Sequence, residues 1–178
     1  MDWHEHFIYD PNTGTLYWKE RRVEHFKSYG SMKAWNTLHA NKAAGCKACR
    51  FKTIPAYVTV SVLGRSIGAH RVIWEMINGP IPTGMFVDHI DGNPWNNKID
   101  NLRLATPSQN NMNQALSKRS TTGYKGVCPG GPRTPPFRAC IRIKGKSKLI
   151  GFFHTAEEAH EAYKKRASEL FGEFKRYK

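Results

Sequence analysis

Apolar and aromatic positions along this chain fall into short runs punctuated by Pro, Gly and Asn. Phe7-Ile8-Tyr9 and Leu16-Tyr17-Trp18 flank Asp10-Pro11-Asn12-Thr13-Gly14, which predicts a β-hairpin. Residues 20–53 carry no clear period and read as irregular and basic. Tyr57 to Leu63 alternates β-branched with other residues up to a Gly64-Arg65 turn, a second hairpin. His70 to Asn78 places Val72, Ile73, Met76 and Ile77 at helical spacing, and Gly79-Pro80 stops that helix. MFVDHI (85–90) then reads as a strand, DGNPWNNKID (91–100) as a turn-rich loop and NLRLAT (101–106) as a second strand. Thr106 as N-cap, Pro107 at N1 and Gln109 at N3 open a helix to about Ser117.

The C-terminal third repeats the logic at closer range. In FRACIRIK, Phe137, Ala139, Ile141 and Ile143 alternate with Arg138, Cys140, Arg142 and Lys144, as a half-buried strand requires. Thr155 and Glu158 form a capping box, Ala159, Ala162, Tyr163 and Leu170 give the following helix a core-facing stripe, and Gly172 ends it. The fold class is therefore α+β: a strand–loop–strand–helix unit behind a β-rich N-terminal part, then a small antiparallel sheet with one helix.

Charge sharpens this division. The 178 residues hold 28 Lys+Arg against 14 Asp+Glu, a net charge of +14. Residues 1–113 contain 13 Lys+Arg and 9 Asp+Glu, whereas residues 114–178 contain 15 and 5, so most of the excess sits in the last 65 residues. Such an asymmetry points to a polyanionic partner held by a C-terminal module, with nucleic acid ahead of an anionic membrane surface. The polar stretch 114–122 reads as a linker, giving domains 1–113 (β-rich 1–65, then 66–113) and 123–178. No apolar run approaches the roughly 20 residues of a membrane span. The N-terminus lacks a secretory pattern, and four cysteines then fit reduced thiols. A cytoplasmic location without membrane contact is the expectation.

AHRVIWEMINGP, VDHIDGN, the Asn96-Asn97 pair, DNLRLAT and PSQN together resemble the HNH endonuclease family, in its phage and intron-encoded branch. The resemblance covers roughly residues 66–113 and implies a ββα-metal nuclease unit that matches the element order above. It implies metal ligation by Asp88 and Asn110, general-base catalysis by His89, and bracing of the loop by Asn101. Chemically, His89 is a suitable base because imidazole titrates near neutral pH. Asp88 and Asn110 offer hard oxygen donors suited to Mg²⁺, or a similar divalent cation such as Mn²⁺. Adjacent strand residues point to opposite faces, so Asp91 rather than Asp88 would share the face of His89. The resemblance nevertheless favours Asp88 through a twisted strand end, and Asp91-Gly92-Asn93 reads as a turn. His70 is expected to cap or pack its helix in support of the site. Cys46 and Cys49 form half of a zinc site, Cys128 and Cys140 supply no second knuckle, and two free thiols are the expectation.

GYKGV, FRACIRI and IGFFHTAEEAHEAYKKRASELFGEF resemble the plant APETALA2 (ethylene-response-factor) type of DNA-binding domain, which also occurs attached to phage HNH endonucleases. The resemblance implies a three-stranded sheet backed by one helix, with the sheet entering the DNA major groove. Its exposed face is expected to carry Lys125, Arg138, Arg142, Lys144, Lys146 and Lys148. Cys128-Pro129-Gly130 and Leu149 depart from the family's basic and aromatic positions. The function expected is a Mg²⁺-dependent endonuclease acting on double-stranded DNA as a monomer or weak dimer. The alternative is a non-catalytic DNA-binding regulator, which has no need of the Asp88, His89 and Asn110 set.

Overall fold

The N-terminal aromatic runs form an antiparallel ribbon, β1 (Phe7–Asp10) against β2 (Thr15–Trp18), with Phe7 opposite Trp18 and Asp10 opposite Thr15. The computed structural model describes residues 1–47, 57–113, 116, 120–143 and 145–172. They form an α+β chain of small antiparallel sheets and four α-helices, divided into two compact units, Met1–Leu104 and Ala105–Lys178.

In the first unit a helix absent from the sequence reading, α1 (Tyr29–His39), follows β2 and is capped by Ser28, whose hydroxyl accepts from the Ser31 amide. It buries no residue fully and has no apolar stripe, which is why the region reads as irregular. Trp35 holds it instead. The Arg21 guanidinium lies over both the Trp18 and Trp35 rings, 4.7 and 4.3 Å from their centroids, a cation–π arrangement, and the two rings meet edge to face. Asn36 completes the joint by accepting from the Arg21 amide and donating to its carbonyl.

β3 (Cys46–Lys47), β4 (Val58–Val62) and β5 (Arg65–Gly68) form a three-stranded sheet in that order. The β4–β5 turn is Leu63-Gly64, both with positive φ, and Val62 pairs with Arg65. Two positive φ values match the strand twist in a two-residue hairpin. α2 (Ala69–Asn78) follows at once and ends at Gly79, φ +82°. Its buried arc runs through Ala69, Val72 and Ile73, with Met76 partly buried. Ile77, expected in the core, is 52 % exposed. Phe7, Leu16, Val60, Val62, Val72 and Ile73 are the best-buried side chains of this core, each stabilising by about 1.5–3 kcal/mol. β6 (Phe86–His89) and β7 (Leu102–Ala105) form a second ribbon, joined by the Asn-rich loop.

The second unit begins with α3 (Pro107–Asn113), whose cap is reciprocal: Gln109 N donates to Thr106 Oγ1, and the Thr106 amide donates to Gln109 Oε1. The expected continuation to Ser117 and most of the expected linker lie outside the described residues. β8 (Val127–Pro129), β9 (Phe137–Ile143) and β10 (Lys146–Phe153) form a sheet with β9 central, backed by α4 (Ala156–Phe171) with its full capping box at Thr155 and Glu158. Val127, Ala139, Ile141, Ala156, Ala159, Tyr163 and Ala167 make the core. Leu170, expected in that stripe, is 38 % exposed. His160 is buried instead and donates through Nδ1 to the Lys125 carbonyl.

Gly126 explains the GYKGV run. It has φ +77°, and a Cβ there would lie 2.1 Å from the buried Tyr163 ring. Neither the backbone conformation nor the ring can yield cheaply. Gly126→Ala is therefore expected to destabilise this unit by more than about 3 kcal/mol, measured as lost amide-exchange protection on β9 while residues 1–104 keep theirs.

Candidate active site

Asp88 and His89 end β6 and are 6 % and 5 % exposed. Two adjacent polar side chains buried at one strand end must each find a partner, and they find different ones. The Asp88 carboxylate turns to β7, where Arg103 Nε donates to Oδ2 at 3.1 Å; both side chains are largely withdrawn from water. The His89 ring turns to the loop and to α2. Its Nε2 lies 2.9 Å from Asn97 Oδ1, and its centroid lies 5.1 Å from that of His70 and 6.0 Å from that of Tyr57. The strand's alternation is thus expressed in the partners of the pair.

The loop after His89 is held by asparagines. Gly92 N donates to the His89 carbonyl, closing the turn. Asp91 accepts from the Asn93 amide, from Asn96 Nδ2 and from Asn101 Nδ2. Asn101 also accepts from the Asp91 amide and donates to the Asn96 carbonyl. Burial alone would raise the Asp91 carboxyl; the bonds from Asn96, Asn93 and Asn101, with His89 nearby, carry it below its ordinary value. Asp91 is accordingly occupied as a turn former. Asn101 ties the start of β7 to the loop through two backbone groups and one side chain.

His70, in the first turn of α2, folds its ring back over Gly68, where a Cβ would meet it at 2.5 Å. Its Nδ1 is buried without a partner among the described residues. Burial first, then the nearby His89 and Arg71, push its pKa down to about 3. It is a neutral ring packed on His89.

Of the other expected residues, Asn110 sits half-buried in α3, its amide donating to the Thr106 carbonyl. Arg138 and Arg142 are exposed on β9. Lys146 and Lys148 are exposed but pair with Ile143 and Ile141. Cross-strand partners share a face, so these lysines lie on the helix-backed side of the sheet and not with the two arginines. The arginine face carries the partly exposed Leu149 and Phe152 instead, opposite Cys140 and Arg138. Lys125 lies in the turn before β8, off the strand face, and its Nζ donates to the Met112 carbonyl at 2.6 Å. Lys144 and Cys49 lie outside the described residues, and Cys46, Cys128 and Cys140 are free thiols. Among the described residues no three His, Cys, Asp or Glu side chains are grouped to hold a metal, and no helix is long and apolar enough to cross a membrane.

Sequence reasoning missed Arg103, Asn97 as a partner of His89, Tyr57 and the clamp on the loop by the first hairpin. That clamp is direct: the Tyr9 hydroxyl accepts from the Ile99 amide at 2.9 Å and donates to the Asn97 carbonyl at 3.4 Å. Gly14 lies so close that a Cβ there would sit 2.6 Å from Lys98 N. A doubled Asn in a loop was the one available signal.

A family model described as HNH endonuclease matches residues 68–112, from Gly68 under His70 to Met112 in α3. Protein 3.8 of Escherichia phage T7 is 39 % identical over 109 residues, covering 61 % of this chain and 88 % of that protein. The chain belongs to the HNH endonuclease family. An uncharacterized HNH endonuclease of Acanthamoeba polyphaga mimivirus is 41 % identical over 106 residues, 59 % of this chain and 54 % of that protein, so this chain spans about half of its length. A solved structure of the HNH homing endonuclease I-HmuI aligns over 97 % of this chain and 92 % of its own, at 19 % identity and a TM-score of 0.39.

Two stability effects follow from the site. Removing the cation of a buried ion pair strands the carboxylate, so Arg103→Met is expected to cost about 3–5 kcal/mol. All five tryptophans lie in residues 1–95, so urea unfolding followed by tryptophan fluorescence reads this unit alone. For His70, the folded pKa near 3 lies below the unfolded 6.5, so the unfolded chain binds the proton first. Its contribution is intact above pH 6.5 and is lost as the pH falls toward 3. At about pH 4.5 the loss amounts to roughly 2–3 kcal/mol, and His70→Gln is expected to flatten the unfolding slope between those pH values by that amount.

Proposed function

We propose that this chain is a divalent-metal-dependent DNA endonuclease. In this reading residues 1–113 form the catalytic domain, 114–122 the linker, and 123–178 an APETALA2-type DNA-binding domain. The observation that carries it is the buried His89 at the end of β6, held by Asn97 and His70 within the residues that match the HNH endonuclease model. An imidazole side chain can take a proton from water, which then attacks the scissile phosphate.

Asp88 and Asn110 are of the donor type that a hard cation takes. Asp88 offers a carboxylate, which is paired with Arg103, and Asn110 offers an amide oxygen. Two oxygen ligands suit Mg²⁺ or Mn²⁺, which keep several positions for water and phosphate oxygens. Once bound by Asp88 and Asn110, the cation would supply Lewis-acid stabilisation of charge on the phosphate and leaving oxygens. The chain's own part is to hold Asp88 against Arg103, keep the loop fixed through Asn101 and present His89.

DNA as substrate is supported by the net charge of +14 and its concentration after residue 113. On the sheet of β8–β10, Arg138 and Arg142 provide the cationic contacts, with the exposed Leu149 and Phe152 available for apolar contact to base edges. Lys146 and Lys148, on the helix-backed side, and Lys125, held by the Met112 carbonyl, add positive charge without sharing the arginine face, and Lys144 belongs to the same basic set.

Incubating supercoiled plasmid with the full chain and Mg²⁺ tests this directly. Relaxed or linear product is expected, abolished by EDTA and slowed at least about 100-fold in His89→Ala with DNA binding retained. DNA binding without any strand cleavage by the wild-type chain would instead indicate a regulator.

A further inference from the structure

The small net charge of residues 1–113 conceals a division. Residues 1–24 hold 3 Lys and Arg against 5 Asp and Glu, and residues 75–113 hold 2 against 4. Between them, residues 25–74 hold 8 Lys and Arg and no Asp or Glu at all. Solvated protein surfaces ordinarily mix both signs, so a stretch of this length without a carboxylate leaves its counter-charge to come from outside. The ion pairs Arg103–Asp88, Lys164–Glu161 and Arg166–Glu169 all lie beyond it. α1 is where the fold lines up part of this charge. The helix has 11 residues and buries none of them fully, so core burial contributes little to ordering it. It docks through one side: Trp35 meets Trp18 edge to face and lies 4.8 Å from the His39 ring, and Asn36 bonds the Arg21 backbone. Helical spacing turns Lys33 and Thr37, one turn apart, away from that side, and both are exposed. The Thr37 hydroxyl donates to the Lys33 carbonyl, and the Lys42 ammonium reaches back to donate to the Thr37 carbonyl at 3.4 Å. Lys27 is exposed just before the Ser28 cap. Three lysines thus mark the start, middle and end of a helix about 16 Å long. A DNA strand carries a phosphate about every 3.4 Å of axis, so that length runs beside several phosphates.

We propose that the outer side of α1, marked by Lys27, Lys33 and Lys42, is a second DNA-binding surface, which holds the sugar–phosphate backbone of the duplex from the unit that carries the candidate active site. The inference rests on the reading that double-stranded DNA is the substrate, and adds where the first unit grips it. Lysines act here as point charges on phosphates, so the contact is independent of base sequence and positions the duplex without reading it. The exposed Tyr29 and Thr37 hydroxyls offer further donors to phosphate oxygens along the same helix. The surface lies outside the residues that match the family model and reaches the core only through the Arg21, Trp18 and Trp35 joint. Base readout by the C-terminal sheet and backbone grip by α1 are then separate properties of the two units.

Binding can be read without any turnover. With EDTA present, the full chain is titrated onto a fluorescein-labelled duplex at salt concentrations from about 50 to 300 mM. Replacing the three lysines together, Lys27→Gln with Lys33→Gln and Lys42→Gln, is expected to make the slope of log K against log[salt] shallower by about 2–3 and to weaken binding at least about tenfold near 150 mM salt. All three side chains are exposed, so the variant is expected to keep the wild-type unfolding transition by tryptophan fluorescence. A second measurement fixes the place: with p-benzoylphenylalanine in place of Thr37, irradiation of the complex is expected to cross-link the chain to the duplex. A slope unchanged within about 0.5, or a probe at Thr37 that marks no DNA, would overturn the proposal. A probe that marks a second copy of the chain instead overturns it in favour of self-association through α1. A wild type that shows the expected slope and cross-link yet cuts no plasmid with Mg²⁺ upholds this surface while defeating the endonuclease reading. Plasmid cut by wild type and lysine variant alike, with an unchanged slope, does the reverse.

Discussion

Burying two adjacent polar side chains at the end of one strand is the constraint from which most of this site follows. Neither Asp88 nor His89 has enough water to solvate it, and an unpartnered carboxylate or imidazole there would cost several kcal/mol. Strand geometry sends neighbouring residues to opposite sides, so no single partner serves both. β7 supplies Arg103 for Asp88, and the loop supplies Asn97 for His89. The ribbon of β6 and β7 is short, four residues a strand, and these side-chain bonds make it a defined structure rather than a fragile hairpin.

The loop between those strands is ordered by the same economy. Asp91, Asn93, Asn96 and Asn101 satisfy one another and the turn backbone, so the connection from His89 to Leu102 needs no apolar core of its own. What this network cannot set is the position of the loop relative to the rest of the unit. The first hairpin does that, through Tyr9 and Gly14. The Arg21 guanidinium, over both Trp18 and Trp35, then ties α1 to the same hairpin. Family resemblance concentrates on residues 68–112, yet the site depends physically on residues near the N-terminus.

Much of the local structure was legible. Both N-terminal hairpins, α2, the β6–loop–β7–α3 order and the capped α4 each announce themselves through alternation, capping boxes or Gly-Pro stops, which are local signals with short-range causes. α1 was not legible, because Trp35 and Asn36 hold it to Arg21 and it has no stripe to read. Ile77 and Leu170 have the right spacing for burial and are exposed, since period says which residues share a face and not how far the covering surface extends. Being cations on a strand, Lys146 and Lys148 are expected on the arginine face. Strand pairing decided otherwise, as only the register between β9 and β10 states which residues stand together.

At the site itself the sequence alone determined the residue types and their order: Asp88 beside His89, a turn-forming loop, Asn101 and a capped helix bearing Asn110. These follow from local chemistry, and the HNH endonuclease model matches the same stretch. Only the tertiary structure decided what each side chain faces. It set Arg103 on Asp88, Asn97 on His89, the neutral His70 against that ring, and Tyr9 and Gly14 against a loop some 90 residues away in sequence. The reason is physical: periodicity and capping are properties of neighbouring residues, whereas partnering a buried polar group is a property of whatever the fold brings to it.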